Sequence, residues 1–271
     1  NNIVISTHVS PDGDAIGSSL ALWHYLKSVG KDVTIIVPND FPHFLKWLPN
    51  VAEVVIYEKD KEVAKAISDK ADLYFCLDYN EPHRTAMYKD VLNASGTYKV
   101  LIDHHIGTPT WQDLSLCVVG ASSTCELIFD TIVGLANEKA IDNNIAQCIY
   151  TGLLTDTGNF QYSATTPKVH RQAALLLARG VQSDVINNHI NNSFNEDRLK
   201  FFGFCTSKKM KIIKENNLAY TFITKKEINQ FNIGLGGTEG LVNEPMKIDG
   251  IDVSILFKQD KDKIKISFRS K

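Results

Sequence analysis

The chain has 271 residues, of which 44% are hydrophobic and 22% charged, and 29 Lys and Arg face 31 Asp and Glu. This length can bury the core of one large domain and a smaller one, and the near-neutral charge excludes the broad basic surface of a duplex-coating protein. No apolar run approaches the roughly 20 residues of a membrane span and no signal-peptide pattern is present, so we expect a cytoplasmic protein. The five cysteines form no CxxC pair, and we expect buried thiols rather than disulfides or zinc ligands.

Short β-rich runs alternate with helical patterns in the first hundred residues. The predicted strands cover residues 3–6, 33–37, 54–56, 73–77 and 99–102. Such alternation predicts an α/β fold, with a five-stranded, mainly parallel sheet flanked by helices. Apolar residues three or four apart predict a helix between the first two strands, and Gly30 supplies its end.

After Gly120 the pattern becomes mainly helical. The predicted helices cover residues 122–134, 137–154, 167–179, 181–191 and 195–209. Strand patterns at 218–223, 253–258 and 264–268, with short helices near 225–230 and 238–243, then predict a smaller α+β domain. The expected organisation is a metal-binding domain over 1–190, a helical connector over 191–210 and a substrate-binding domain over 211–271.

Acids and imidazoles follow several of the predicted strands. In an open parallel sheet, ligands bind at the carboxyl ends of the strands. The residues concerned are His8, Asp12 and Asp14 after the first strand, Asp78 after the fourth, Asp103, His104 and His105 after the fifth, and Asp156 at a later helix end. Taken singly, each has an ordinary structural role; Asp12, for example, could merely cap the helix that follows.

Taken together, these side chains predict bound metal, because clustered carboxylates repel each other unless cations neutralise them. Oxygen and imidazole ligands without thiolate suit Mn²⁺, with Mg²⁺ or Co²⁺ as alternatives. The ligands outnumber one octahedral sphere that must also admit water and substrate, so we expect two ions. A dinuclear site of this kind hydrolyses phosphoesters by lowering the pKa of a bridging water.

These residues, in this order, resemble the motifs of the DHH phosphoesterase family. His8-x-x-x-Asp12-x-Asp14 is similar to the first motif, Asp78 to the second, Asp103-His104-His105 to the signature and Asp156 to the fourth. The resemblance covers nearly the whole chain. The C-terminal part resembles the NrnA-type branch, whose members degrade short oligoribonucleotides and dephosphorylate 3′-phosphoadenosine 5′-phosphate.

The resemblance implies a role for each of these residues. It places His8, Asp12 and Asp78 on one metal, and Asp14, Asp78, His104 and Asp156 on the other. Asp78 would be the bridging ligand. Asp103 would orient an imidazole through a hydrogen bond, and His105 would face the scissile phosphate as a donor or acid.

The resemblance also implies substrate-binding residues. These are Asn243, Arg269 and Ser270 in the C-terminal domain and Arg84 in the first, where an Arg would hold a phosphate. Residues 234–240 could instead be a plain glycine-rich turn, Arg269 a solvated strand end and Arg84 a surface ion-pair partner. The expected ligands are short single-stranded RNA, linear dinucleotides or a nucleoside bisphosphate, rather than duplex nucleic acid or a membrane.

Two further expectations follow from the family. A homodimer is expected by analogy. The glycine-rich segment with a histidine that normally ends the second domain is not found before Lys271, so we expect that domain to be C-terminally incomplete.

Two alternative functions use the same residues. A family II-like inorganic pyrophosphatase has a very similar metal set, but its second domain carries several basic residues where this chain offers a glycine-rich loop and Arg269. A sensor of metal or dinucleotide would bind without turnover, although an intact ligand set favours catalysis.

Overall fold

The computed structural model describes residues 2–192, 194–260 and 263–271, and they form two compact units. The first unit extends to Ile190, and the second runs from Asn191 to Lys271. Residues 191–210, which we predicted as a connector, group with the second unit. In the described ranges, no helix is both long and apolar enough to cross a membrane.

A parallel sheet of six strands forms the centre of the first unit. Its strands are β1 (Asn2–Ser6), β2 (Asp32–Val37), β3 (Val55–Ile56), β4 (Leu73–Leu77), β5 (Tyr98–Asp103) and β6 (Leu114–Cys117). Their order in the sheet is β3-β2-β1-β4-β5-β6, and every neighbouring pair is parallel. The predicted α/β fold with a parallel sheet is confirmed.

The predicted number of strands was wrong, because β6 was not recognised. This strand has four residues, lies at the edge of the sheet and leaves Leu114, Ser115 and Leu116 exposed. A short, exposed edge strand buries no face, so its sequence does not need a long run of β-rich residues. The segment therefore resembled a loop.

Helices cover both faces of this sheet. They are α1 (Gly13–Ser28), α2 (Lys61–Ser68), α3 (Lys89–Ala94), α4 (Thr124–Leu135), α5 (Asn143–Asp156), α6 (Pro167–Ala178) and α7 (Ser183–Asn191). Along β1, Ile3 and Ile5 pack into the larger core, which includes Ile16 of α1 and Ile149 of α5, whereas Val4 packs into a smaller core. A strand buried on both faces in this way reads as a continuous apolar run, as the sequence of β1 does.

The strand order reverses direction at β1. The chain passes from β1 to β2 and β3 on one side, and β4 then pairs with the other side of β1. A reversal of this kind opens a crevice at the carboxyl ends of the two central strands. The segments that follow β1, β4 and β5 start at this edge.

The second unit is an α+β fold on a four-stranded sheet. Its elements are α8 (Glu196–Phe204), β7 (Met210–Ile213), β8 (Leu218–Ile223), α9 (Lys225–Gln230), β9 (Val253–Asp260) and β10 (Lys263–Ser270). The central pair β8 and β9 is parallel, and β7 and β10 join it in antiparallel fashion. Phe201, Ile223 and Leu256 form its core. The predicted smaller α+β fold is confirmed, although β7 was missed because it follows the helical pattern without a turn signal.

Candidate metal centre

The loop after β1 brings three polar residues to the carboxyl edge of the sheet. Asp12 is the N-cap of α1, and its Oδ1 accepts hydrogen bonds from the backbone N–H groups of Asp14 and Ala15, both at 3.1 Å. His8 Nε2 lies 4.0 Å from the same oxygen. Because a carboxylate has two oxygens with several lone pairs, capping leaves Asp12 able to bind a cation as well.

Asp78 lies at the centre of the cluster, directly after β4. Its backbone has φ 65°, a left-handed conformation that is uncommon for a residue other than glycine and that concentrates at functional sites. Its carboxylate is buried, with Oδ2 3.3 Å from His8 Nε2 and Oδ1 3.5 Å from His104 Nε2. The two oxygens of Asp78 therefore face two different imidazoles.

His104, which follows β5, faces a second set of carboxylates. Its Nε2 lies 3.3 Å from Asp156 Oδ2 and 3.9 Å from Asp14 Oδ2. Its Nδ1 lies 3.4 Å from the backbone carbonyl oxygen of Ala121. One nitrogen directed at carboxylates and the other at a carbonyl is the arrangement that metal-binding histidines use to fix their tautomer.

His105 is oriented differently from its neighbour. Its Nδ1 lies 2.7 Å from Asp103 Oδ1 and 3.7 Å from Asp78 Oδ1. Asp103 is fully buried, whereas the His105 side chain is about one-third exposed. The structure thus places Asp103 as the orienting partner of His105, and the predicted role of His105 toward substrate stays a prediction.

The N-terminus of α4 holds two of the acids in place. The backbone N–H groups of Thr124 and Cys125 donate to the two oxygens of Asp14, at 2.6 and 2.8 Å. The Thr124 hydroxyl donates to Asp78 Oδ1 at 3.0 Å. Unpaired N–H groups and the helix dipole make a helix N-terminus favourable for a carboxylate. Thr124 was not among the predicted site residues, although Ser123 and Glu126 form a recognisable capping pattern at the start of this helix.

The electrostatics of this cluster fit bound cations. Burial raises the pKa of the Asp78 carboxyl well above its usual range, and the charges of Asp14 and Asp12 raise it further. Among the described residues, no Lys or Arg nitrogen lies within 4 Å of Asp14 or Asp78. Buried carboxylates that repel each other and have no basic partner are stabilised by a metal ion.

The ligand atoms also lie at suitable separations. In three groups, one N or O atom from each residue lies within 4.8 Å of the others: His8 with Asp12 and Asp78, Asp14 with His104 and Asp156, and Asp78 with His104 and His105. Each group combines carboxylate oxygen with imidazole nitrogen and contains no cysteine. The first group contains the three residues that the family resemblance assigns to one metal, and the second contains three of the four that it assigns to the other.

The predicted substrate-binding residues fall on both units. The backbone carbonyl of Arg84 accepts a hydrogen bond from Val9 N–H at 2.7 Å, so Arg84 adjoins the loop that carries His8. Arg269 is exposed on β10, where its Nη1 donates to the Phe268 carbonyl at 2.8 Å. Asn243 and Ser270 also belong to the second unit. Their roles in binding substrate stay predictions.

We expect Thr124→Val to weaken the affinity for Mn²⁺ about tenfold, because the isosteric change removes the hydroxyl that holds Asp78 Oδ1. Thr124→Ser keeps the hydroxyl and serves as the matched control. Isothermal titration of each metal-free variant with Mn²⁺ measures the effect directly. Equal affinities for the Val and Ser variants would show that the hydroxyl does not position Asp78.

Two curated relatives of this chain carry the same description. It is 38% identical over 180 residues to the bifunctional oligoribonuclease and PAP phosphatase NrnA of Thermus thermophilus, covering 66% of this chain and 51% of that protein. It is 27% identical over 273 residues to the protein of the same description from Bacillus subtilis, covering 100% of this chain and 82% of that protein. The chain thus spans about half of the Thermus protein.

A solved structure and a family model agree with this relationship. An exopolyphosphatase-related protein from Bacteroides fragilis superposes with a TM-score of 0.94 at 39% identity, covering 99% of this chain and 79% of that one. The model of the DHH family N-terminal domain matches residues 2–153, the span that holds every acid and imidazole of the cluster except Asp156. The chain is therefore a member of the DHH family.

Proposed function

We propose that this protein is a Mn²⁺-dependent phosphoesterase that hydrolyses short oligoribonucleotides and linear dinucleotides to mononucleotides, and also 3′-phosphoadenosine 5′-phosphate. The main support is the position of Asp78, whose two oxygens lie 3.3 and 3.5 Å from imidazoles of two separate ligand groups. A carboxylate in this position would contribute one oxygen to each of two ions. The descriptions of the NrnA relatives support the choice of substrate.

The chain offers two sets of ligands. One ion would be held by His8, Asp12 and Asp78, and the other by Asp14, Asp78, His104 and Asp156. Oxygen and imidazole donors without thiolate suit Mn²⁺, and Mg²⁺ or Co²⁺ could replace it. Two such ions, when bound, lower the pKa of a water molecule and polarise the phosphoryl oxygens of the substrate.

The proposed role of His105 is to transfer a proton. Asp103 Oδ1 accepts the Nδ1–H of this imidazole at 2.7 Å, which leaves Nε2 as the nitrogen available to substrate. The buried carboxylate behind the ring fixes its orientation. With a second proton on Nε2, His105 would donate a hydrogen bond to the phosphate or give that proton to the leaving oxygen.

The remaining proposals concern the substrate and the assembly. We propose that Arg84, Asn243, Arg269 and Ser270 contact the nucleotide. The partners would be short single-stranded RNA and small nucleotides, and the protein would form a homodimer in the cytoplasm. The five free cysteines fit a reducing compartment.

A single panel of substrates tests the function. The purified chain would be incubated with Mn²⁺ and, in separate reactions, pApA, pGpG, 3′-phosphoadenosine 5′-phosphate, cyclic dinucleotides and pyrophosphate. Release of mononucleotides from the linear dinucleotides, abolished by EDTA and restored by Mn²⁺, is the expected result. Preferential cleavage of pyrophosphate would instead assign a pyrophosphatase, and tight binding without turnover would assign a sensor.

A further inference from the structure

Two lysines of the second unit lie directly opposite each other. Lys258 of β9 and Lys265 of β10 are cross-strand partners in the antiparallel ladder. Directly opposed side chains have Cβ atoms about 4.5–5.5 Å apart, and like charges at that distance are destabilising. In the same hairpin, Lys263 faces Asp260, which is the favourable arrangement. The Lys258–Lys265 pair therefore places two positive charges together at a cost in stability.

The environment of Lys258 does not neutralise this charge. The side chain is half-buried, and among the described residues no carboxylate lies within 4 Å of its ammonium group. Burial lowers the pKa of Lys258, and the charge of Lys265 lowers it further. Lys209, another half-buried lysine of this unit, has instead an ion pair with Glu227 at 2.6 Å. Among the described residues Lys258 has no such close ion pair, and the charge of Asp260 only partly offsets that of Lys265.

A hydrogen bond connects Lys258 to the glycine-rich loop. Its Nζ donates to the Thr238 hydroxyl at 3.3 Å. Arg198 holds this loop by donating Nε to the Gly237 carbonyl at 3.1 Å and Nη2 to the Glu239 carbonyl at 2.8 Å. The guanidinium of Arg198 in turn lies 3.5 Å from the ring centroid of Phe194. Lys258 and Arg198 therefore hold this loop by hydrogen bonds.

We propose that Lys258, Lys265 and the Thr238 hydroxyl form a binding site for a phosphate group of the substrate other than the one that is cleaved. Two ammonium groups and a hydroxyl can donate hydrogen bonds to different oxygens of one phosphate. The negative charge of that phosphate would also offset the repulsion between the two lysines. On β10, Arg269 lies four residues from Lys265 on the same face, so the positive surface continues along the strand. The assignment to the substrate rests on the proposed phosphoesterase function.

The test uses three methionine substitutions in the full chain. Lys258→Met and Lys265→Met each remove one charge of the pair, and Lys263→Met removes a charge from the same hairpin at the position opposite Asp260. Calorimetry would measure the binding of 5′-AMP, adenosine and inorganic phosphate in metal-free buffer. Steady-state kinetics with Mn²⁺ would then give KM and kcat for pApA.

We expect each change in the lysine pair to weaken the binding of 5′-AMP about tenfold and to raise the KM for pApA by a similar factor. Adenosine binding should not change, and Lys263→Met should behave as wild type. The melting temperature of Lys258→Met should equal or exceed that of wild type, because repulsion is relieved. A lysine with only a structural role would lower the melting temperature and leave 5′-AMP affinity unaltered, which would overturn the proposal.

Two outcomes separate this site from the proposed function. If wild type does not cleave pApA but binds 5′-AMP through the lysine pair, the phosphate site stands and the phosphoesterase function fails. If inorganic phosphate binding depends on the pair while the KM for pApA does not, the site binds a free anion. That result would overturn its assignment to the substrate.

Discussion

Asp78→Asn is expected to reduce kcat/KM for pApA at least about 10²-fold and to lower the affinity for Mn²⁺. An amide offers a single neutral oxygen. It therefore cannot bind one metal ion on each side, as the two carboxylate oxygens of Asp78 are proposed to do. The measurements are steady-state kinetics and calorimetric titration with Mn²⁺.

The same substitution should not unfold the metal-free protein. Asn tolerates the left-handed backbone at this position, where φ is 65°. It also removes a buried negative charge that Asp14 and Asp12 repel. We therefore expect a melting temperature at or above that of wild type in EDTA. Asp32→Asn is a control for loss of an acid, because Asp32 is exposed and its carboxylate lies 3.3 Å from the Lys27 ammonium group. Activity of Asp78→Asn within tenfold of wild type would contradict the bridging role.

Gly152→Ala is expected to destabilise the protein by about 1–3 kcal/mol and to weaken metal binding. Gly152 lies inside α5, and a Cβ atom there would lie 2.8 Å from Asp14 Oδ1 and 2.9 Å from Cys125 Cβ. Such overpacking would force helices or side chains to move. The affected groups would include the Asp14 carboxylate, which accepts hydrogen bonds from the N-terminus of α4. Chemical denaturation and Mn²⁺ titration would measure the two effects.

Gly134→Ala provides a matched control for that change. Gly134 is also a helical glycine, in α4, but a Cβ at this position meets no atom within 4 Å beyond its chain neighbours and its own helix backbone, in the part of the chain that the structure describes. The substitution should stabilise the protein by up to about 1 kcal/mol, since alanine loses less entropy on entering a helix. If the two alanine variants have similar free energies of unfolding, the close packing at Gly152 is not required for stability.

Local sequence patterns predicted most of the strands and helices of the fold. The apolar runs of β1 and β4 are buried on both faces, and they were recognised because that burial leaves a continuous hydrophobic pattern. The edge strand β6 has no such constraint, and it was missed. In the second unit, the helix at Lys225–Gln230 coincided with its prediction because Thr224 and Glu227 form a complete capping box.

The sequence by itself determined which acids and imidazoles could meet. His8, Asp78 and His104 each follow a strand of one parallel sheet, and the carboxyl ends of those strands lie at a common edge whatever the details of packing. The pattern of residue types then indicated a metal centre, because several carboxylates and imidazoles without thiolate suit hard and borderline divalent cations.

Only the tertiary structure decided which hydrogen bonds hold those side chains and which carboxylate faces which imidazole. Asp14 and Thr124 are 110 residues apart, and their hydrogen bond depends on how α1, α4 and α5 dock around Gly152. The different roles of the adjacent imidazoles are decided by which carboxylates they face, Asp156 for His104 and Asp103 for His105. The Lys258–Lys265 pair likewise depends on the register of β9 and β10. Packing and register join residues that are distant in the chain, and no local period or spacing encodes such contacts.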